Sequence, residues 1–268
     1  MTEDSQVTVG LNFGLGYIEG SPTSIQRLLR GDLSIFLFGA KGTGKTSFVQ
    51  SLSGGSVETI RGLRSTTNVE PGSTKYFHRQ DGHTLELPIV YKDSPGDPTK
   101  RTSVFSKVRK SPPLVILFFI DHLDTDMQQR DALKNPKERE VRRWEFQNRE
   151  RLGEIDPNRI KEHKTAWSEL AEAMVTYSEI KQECRLIIPV VTKYDMWQEF
   201  HDIDEFYDLF KNEFAEFQHK FEIKVNGVMP CSSTINIDNE LHKIVKRMAT
   251  ETQKDRKLFR RIKRSIGL

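Results

Sequence analysis

The chain has 268 residues, 36% hydrophobic and 29% charged, with 41 Lys and Arg against 38 Asp and Glu for a net charge of +3. That is enough for one large domain, or one domain with additions, and no apolar run reaches the roughly 18 residues of a membrane-spanning helix. The two cysteines, Cys184 and Cys231, have neither a CxxC partner nor zinc spacing, so a reducing, cytoplasmic setting without a disulfide frame is expected.

Residues 1–32 read as an N-terminal extension. The polar, acidic start Met1–Gln6 predicts no secretory leader and lacks the glycine that myristoylation needs. Val7-Thr8-Val9 and Leu11-Asn12-Phe13 alternate weakly between glycines, which predicts a short extra strand or ordered arm, then a helix near Ser24–Arg30. Leu33–Phe38 is an apolar run of buried-strand length. Gly39-Ala40-Lys41-Gly42-Thr43-Gly44-Lys45-Thr46 follows, a complete GxxxxGK[ST] loop. Ser47–Leu52 then has helical spacing, and Gly54-Gly55 can end the helix. Strand, glycine loop and helix are the context this motif requires. Its glycines let backbone N–H groups turn around phosphate oxygens, and the helix start adds positive charge, in which Ser47 shares. Lys45 would reach the β- and γ-phosphates, and the Thr46 hydroxyl would ligate Mg²⁺.

Arg61–Asn68 is a basic loop. Ser73–Gln80 and Thr84–Lys92 flank Asp81-Gly82, which predicts a hairpin with a two-residue turn. Its second strand runs into Asp93-Ser94-Pro95-Gly96. An Asp at a strand end, three residues before a Gly, can hold Mg²⁺ through water while the Gly N–H meets a γ-phosphate. Pro98–Ser111 is expected to be helical, and Leu114–Ile120 is a strand ending at Asp121.

Asp126–Lys164 holds eleven Lys/Arg and nine Asp/Glu, with Trp144 and Phe146 among them. It reads as a charged insertion, either a helical hairpin or arm that docks a partner or a solvated excursion. Asp156-Pro157 has the form of an N-cap followed by a first-turn proline. Ile160, His163, Trp167, Leu170, Met174 and Tyr177 then give a long amphipathic helix.

Leu186–Val191 is another apolar strand, with Pro189 inside it, so a bulge or irregular pairing is expected there. It ends in Thr192-Lys193-Tyr194-Asp195. A carboxylate at Asp195 can accept two hydrogen bonds from the N1 and N2 edge of guanine, a donor pair that adenine lacks. The Lys193 stem can lie across base and loop. Ile203, Phe206, Phe210, Phe214, Phe217 and Phe221 form a second helical stripe for the core. Val228–Ser233 reads as a last strand running into Cys231-Ser232-Ser233, where a backbone N–H can donate to the guanine O6. Leu241, Ile244, Val245 and Met248 open the final helix.

The end of the chain is basic. Ten Lys and Arg between Lys243 and Arg264 face only Glu251 and Asp255. Residues 251–268 form an amphipathic tail that can lie on an anionic membrane, dock on an acidic partner or cap the domain. One aromatic, Phe259, and no reader motif argue against nucleic acid.

These four motifs, in this order over residues 33–250, resemble the Ras-like, translation-factor-related GTPase superfamily. The resemblance implies an α/β P-loop NTPase G domain: a mixed, mostly parallel six-stranded sheet between helices, here with the insertion at 126–164. It implies GTP and GDP as ligands with Mg²⁺, and a switch protein that hydrolyses GTP with an effector or regulator as partner. The loop 39–46 with Ser47 would hold the nucleotide phosphates, and Thr192, Lys193, Asp195 and Cys231–Ser233 the base. A Mg²⁺-binding switch threonine would be Thr67 or Thr66, joining Thr46 and Asp93. Arg64 stands three residues before Thr67, a spacing similar to that of heterotrimeric α-subunits, where the arginine acts in cis. Lys45, Arg64, Thr67 and Gly96 would then carry the chemistry. Two positions depart from the pattern: Asp97 where a water-orienting Gln is frequent, and Lys41 where a glycine is frequent. They leave open a non-hydrolysing, nucleotide-loaded scaffold or membrane adaptor, and a homodimer through the nucleotide face.

Overall fold

The computed structural model describes residues 9–13, 16–20, 33–52, 68, 70–80, 83–122, 153–231 and 243–248. The expected helix near residues 24–30, the insertion up to residue 152 and the tail from residue 249 lie outside them. At the start of the chain, β1 (Val9–Phe13) and β2 (Gly16–Gly20) pair antiparallel as a two-stranded sheet of their own, with Phe13 opposite Gly16. The weak alternation is thus half of a hairpin.

The main sheet begins with β3 (Leu33–Gly39), buried along its whole length, which leads through the 39–46 loop into α1 (Lys45–Leu52). β4 (Glu70–Gln80) and β5 (His83–Asp93) form the expected antiparallel hairpin, closed by Gln80 opposite His83. The helix expected over Pro98–Ser111 is broken into α2 (Pro98–Arg101), a 3₁₀ turn over Thr102–Val104 and α3 (Phe105–Val108). β6 (Val115–Ile120), α4 (Pro157–Thr176), α5 (Ser178–Glu183) and β7 (Leu186–Thr192) follow. α6 (Tyr194–Trp197), α7 (Ile203–Phe221), β8 (Lys224–Val225) and β9 (Met229–Cys231) come next, and residues 243–248 are helical. α4 takes in residues 157–164, which the sequence assigned to the charged insertion.

The strand order is β4-β5-β3-β6-β7-β8, with β9 also on β7. Among the described residues of this sheet, only the β4–β5 pairing is antiparallel. The sheet has seven strands where six were expected, because β8 is a two-residue element too short to leave a pattern.

All-apolar central strands need cover on both faces, and alternation along β3 supplies two cores. Leu33, Ile35 and Leu37 pack with Phe48, Val49 and Leu52 of α1 and with Ile244, Val245 and Met248. Phe36 and Phe38 point the other way, into a core built by α4 and α7. The α7 stripe buries Phe206, Phe210, Phe214, Phe217 and Phe221, a gain of roughly 10 kcal/mol before ordering costs. Trp167 of α4 sits between the layers, 4.9 Å from Phe118 and 4.8 Å from Phe214 by ring centroids.

Pro189 causes no bulge. It pairs in register with Phe118 of β6. The irregularity lies on the other side of β7, where β8 covers Leu186 and Ile187 and β9 resumes only at Val190. Ile187 accepts there from the Asn226 N–H at 2.9 Å. Two residues on, Pro189 faces the same way, at the gap between β8 and β9, where its missing N–H breaks no ladder.

Candidate functional site

β3 carries the 39–46 loop to the carboxyl edge of the sheet, with β5 on one side and β6 on the other. Open α/β sheets bind ligands at such an edge, where strand order reverses. Gly39, Gly42 and Gly44 have φ of 144°, 76° and 80°, values that L side chains avoid. At Gly39 space decides too, since a Cβ would stand 2.5 Å from the Phe119 carbonyl oxygen.

The loop is tied from within. Thr43 Oγ1 donates to the Ala40 carbonyl at 2.9 Å, and Lys45 Nζ donates to the carbonyls of Gly39 at 3.0 Å and Ala40 at 2.7 Å. α1 has no acidic residue in its first turn, so the positive helix end keeps its field. Lys45 is 5% exposed. Burial pushes its ammonium down to about 8; Asp93 opposes the shift, and Arg101 and Arg159 reinforce it. Such a group gains more from an anion than a solvated lysine would.

Thr46 Oγ1 donates to Asp93 Oδ2 at 2.6 Å. The two are far apart in sequence and meet because β5 runs parallel to β3, placing Asp93 beside Leu37. Hydroxyl and carboxylate oxygens are hard donors that suit Mg²⁺. Among the described residues no group of three or more His, Cys, Asp or Glu gathers as a metal site. A Mg²⁺ ion shared with phosphates needs none, since one carboxylate with phosphate oxygens and water suffices.

Gly96 is pressed against the loop. A Cβ there would collide with Lys41 Cα and come within 2.5 Å of Lys41 N and 2.8 Å of the Ala40 carbonyl carbon. Gly96→Ala is therefore expected to cost roughly 1–3 kcal/mol. A thermal melt checks it, and a melting temperature equal to the parent's would show that the contact is soft. Asp97 is engaged nearby, capping α2 by accepting from Thr99 N at 3.0 Å and Thr99 Oγ1 at 2.8 Å. Those bonds hold its carboxyl below the usual range.

The Thr192–Asp195 segment docks on the same loop. Thr192 Oγ1 donates to the Thr43 carbonyl at 3.0 Å and the Ile120 carbonyl at 3.3 Å. Lys193 takes the left-handed conformation, φ 58°, at the head of α6, and Asp195 is the second residue of that helix. Trp197, fully buried, donates from Nε1 to the Thr192 carbonyl at 3.0 Å. Cys231 is buried at the end of β9, paired with Thr192. The structure thus gathers Gly39–Ser47, Asp93, Gly96, Thr192, Lys193 and Cys231 at one sheet edge. Arg64, Thr66, Thr67, Ser232 and Ser233 lie outside the described residues.

Four ionisable residues to which sequence reasoning assigned no part in the site lie against it. Asp121, at the end of β6, is fully buried. Its Oδ1 accepts from Arg159 Nε at 2.5 Å and lies 3.0 Å from His163 Nε2, and its Oδ2 accepts from Lys193 Nζ at 2.7 Å. Burial alone would raise its carboxyl pKa, but Lys193 and Arg159 outweigh that and hold it well below the ordinary range. Burial lowers the His163 pKa, Asp121 notwithstanding, and favours the neutral ring. Arg101 is the fourth: it pairs Glu169 of α4, with Nε at 2.5 Å and Nη2 at 2.9 Å, and donates to the Gly96 carbonyl at 3.3 Å. The one advance signal was an ionisable Asp121 closing an all-apolar strand, which has to be paired if it is buried.

No protein-family model matches this chain, and no curated protein matches it. Among the described residues no helix is long and apolar enough to cross a membrane.

Proposed function

We propose that this chain is a Mg²⁺-dependent guanine-nucleotide-binding protein of G-domain type that hydrolyses GTP slowly to GDP and phosphate. The observation that carries the reading is the direct Thr46–Asp93 bond at 2.6 Å beside the Lys45-lined loop. The complete glycine loop and the Asp93–Gly96 turn, which is weak alone, come together as a phosphate-bound Mg²⁺ ion would require. The contact of Thr192 with Thr43 supports the base assignment, because it sets the segment bearing Asp195 against the phosphate loop.

The Gly39–Gly44 amides and Lys45 would hold the phosphates, with Thr46 and Asp93 on the metal side. A bound Mg²⁺ ion would supply neutralisation of phosphate charge. Gly96, packed on the loop, is placed to feel a γ-phosphate through its N–H. Lys193 and Asp195 would take the base. Asp97, turned to its cap on Thr99, would not replace a water-orienting glutamine, so intrinsic turnover at or below the order of 10⁻⁴ s⁻¹ is expected. The same observation favours a second reading, a nucleotide-loaded scaffold or membrane adaptor that does not hydrolyse.

The test is affinity and phosphate release on the purified chain, with GTP and ATP side by side, with and without Mg²⁺. GTP-selective, Mg²⁺-dependent binding with slow phosphate release is the expected result. Binding without release leaves the scaffold, equal binding of ATP removes the guanine assignment, and no binding removes the proposal.

A further inference from the structure

We propose that Arg159 and Asp121 form a latch on the phosphate loop that sets how long the nucleotide stays bound, placing its release under the control of the first turn of α4. The inference rests on the nucleotide reading above and adds to it a positioning pair and a route of regulation.

The guanidinium of Arg159 reaches three separate groups. Nε donates to Asp121 Oδ1 at 2.5 Å, Nη2 to the Lys41 carbonyl at 2.6 Å and Nη1 to Glu162 Oε2 at 2.6 Å. The Lys41 contact joins residues 118 positions apart, and it lands on the middle of the loop. In a trans peptide the carbonyl and the next N–H point in opposite directions. Holding the Lys41 carbonyl toward Arg159 therefore turns the Gly42 N–H away from Arg159, and Gly42, which follows that peptide, has a φ of 76°. Inward-turned amides are what such a loop offers to phosphate.

Asp121 gives the latch its second function. One of its oxygens takes Arg159 and the other takes Lys193 Nζ, so one carboxylate anchors both the phosphate loop and the base-reading segment. Arg159 is 4% exposed, Asp121 0% and Lys193 9%, which keeps salt from screening the charges. The start of α4 is also tied to this corner by the Asp156 N–H, which donates to the His122 carbonyl at 3.0 Å. A displacement of the first turn of α4 therefore pulls on loop and base segment together.

The experiment uses the full chain and two variants, Arg159→Lys and Glu162→Gln. Lysine keeps a cation for Asp121, but its single head cannot bridge Asp121, Lys41 and Glu162. Dissociation of N-methylanthraniloyl-GDP in Mg²⁺ is measured by stopped flow, and hydrogen exchange at residues 42–44 is followed without nucleotide. Arg159→Lys is expected to dissociate roughly tenfold to a hundredfold faster, with association little changed and exchange at 42–44 accelerated. Glu162→Gln, which keeps an acceptor for Nη1 and removes only the outer charge, is expected to move neither. A dissociation rate within about twofold of the parent for Arg159→Lys overturns the latch, as does a Glu162→Gln effect of equal size. Should the parent bind no guanine nucleotide, the function reading falls separately. The latch is then decided by exchange at 42–44: acceleration in Arg159→Lys supports it and unchanged exchange overturns it.

Discussion

Replacing Lys45 with methionine is expected to lower nucleotide affinity by roughly a hundredfold or more, while stabilising the nucleotide-free chain. Both effects have one cause. The Lys45 ammonium is buried against the uncharged carbonyls of Gly39 and Ala40, and burial pulls it from 10.5 to about 8. The folded pKa is the lower one, so between these values the unfolded chain holds more protons than the folded chain. Stability then rises with pH through that window, and below about 8 the full penalty is present. Its size is on the order of 3 kcal/mol. Methionine keeps the stem and removes the charge, so the variant is expected to melt higher at neutral pH and to lose the slope between 8 and 10.5. Phosphate reverses the balance, because an anion raises the Lys45 pKa and binding must take up a proton above about 8. The affinity of the parent for GTP should therefore weaken as pH climbs past that value, and that of the variant should not. Denaturation series and titrations at several pH values check this. An affinity within tenfold of the parent would remove Lys45 from the phosphates.

The elements were legible wherever a single periodicity dominated. The α4 stripe at Ile160, His163, Trp167, Leu170 and Met174 is the buried face of that helix, because a helix packed on a sheet repeats its contacts every three to four residues. The three predominantly apolar strands, β3, β6 and β7, lie side by side in the middle of the sheet, since only a strand covered on both faces drops its alternation. Pro189 shows the limit of such reasoning. A proline is costly in a ladder, yet the cost depends on which neighbour faces its nitrogen, and that is a property of strand order. β8 is a second limit, two residues that pair because Ile187 offers a carbonyl to Asn226.

The site divides along the same line. Loop, Asp93, Gly96 and Thr192 stand in local motifs, because each would meet the proposed ligand through its own short backbone segment. Asp121, Arg159, Arg101 and Glu169 act through partners distant in sequence: Arg101 and Glu169 are 68 residues apart. No spacing rule announces such a pair. The two ion pairs give α4 two holds on the ligand edge. Arg159 grips the loop from the start of the helix, and Glu169 holds Arg101 and through it the Gly96 carbonyl nearly three turns later. A helix fastened at both points couples the loop to the turn at Gly96, which makes α4 the element through which the two ends of the proposed phosphate site would feel each other.

Asp195→Asn is the substitution expected to redirect the ligand, lowering GTP affinity by roughly 10²–10⁴-fold. Guanine presents two donors, N1–H and the N2 amine, to the carboxylate. An asparagine amide turns a donor toward a donor on one side, and the base is left with an unmet polar group in a desolvated site. Xanthine carries a carbonyl where guanine carries the amine, so it restores the pair, and xanthosine triphosphate should bind the variant more tightly than GTP does. The backbone placement of residue 195 leads to the expectation that the effect is specific to the base. Asp195 stands in the first turn of α6, three residues after Thr192, whose hydroxyl is fixed to the Thr43 carbonyl at 3.0 Å, and Trp197 holds the same turn from behind. Base end and phosphate end are thus in one register, and a change at residue 195 should leave the phosphate contacts intact. Parallel titrations of parent and variant with GTP, xanthosine triphosphate and ATP read this directly. An equal fall for all three would mean that the substitution disturbs α6 rather than base recognition, and an unchanged GTP affinity would remove Asp195 from the base.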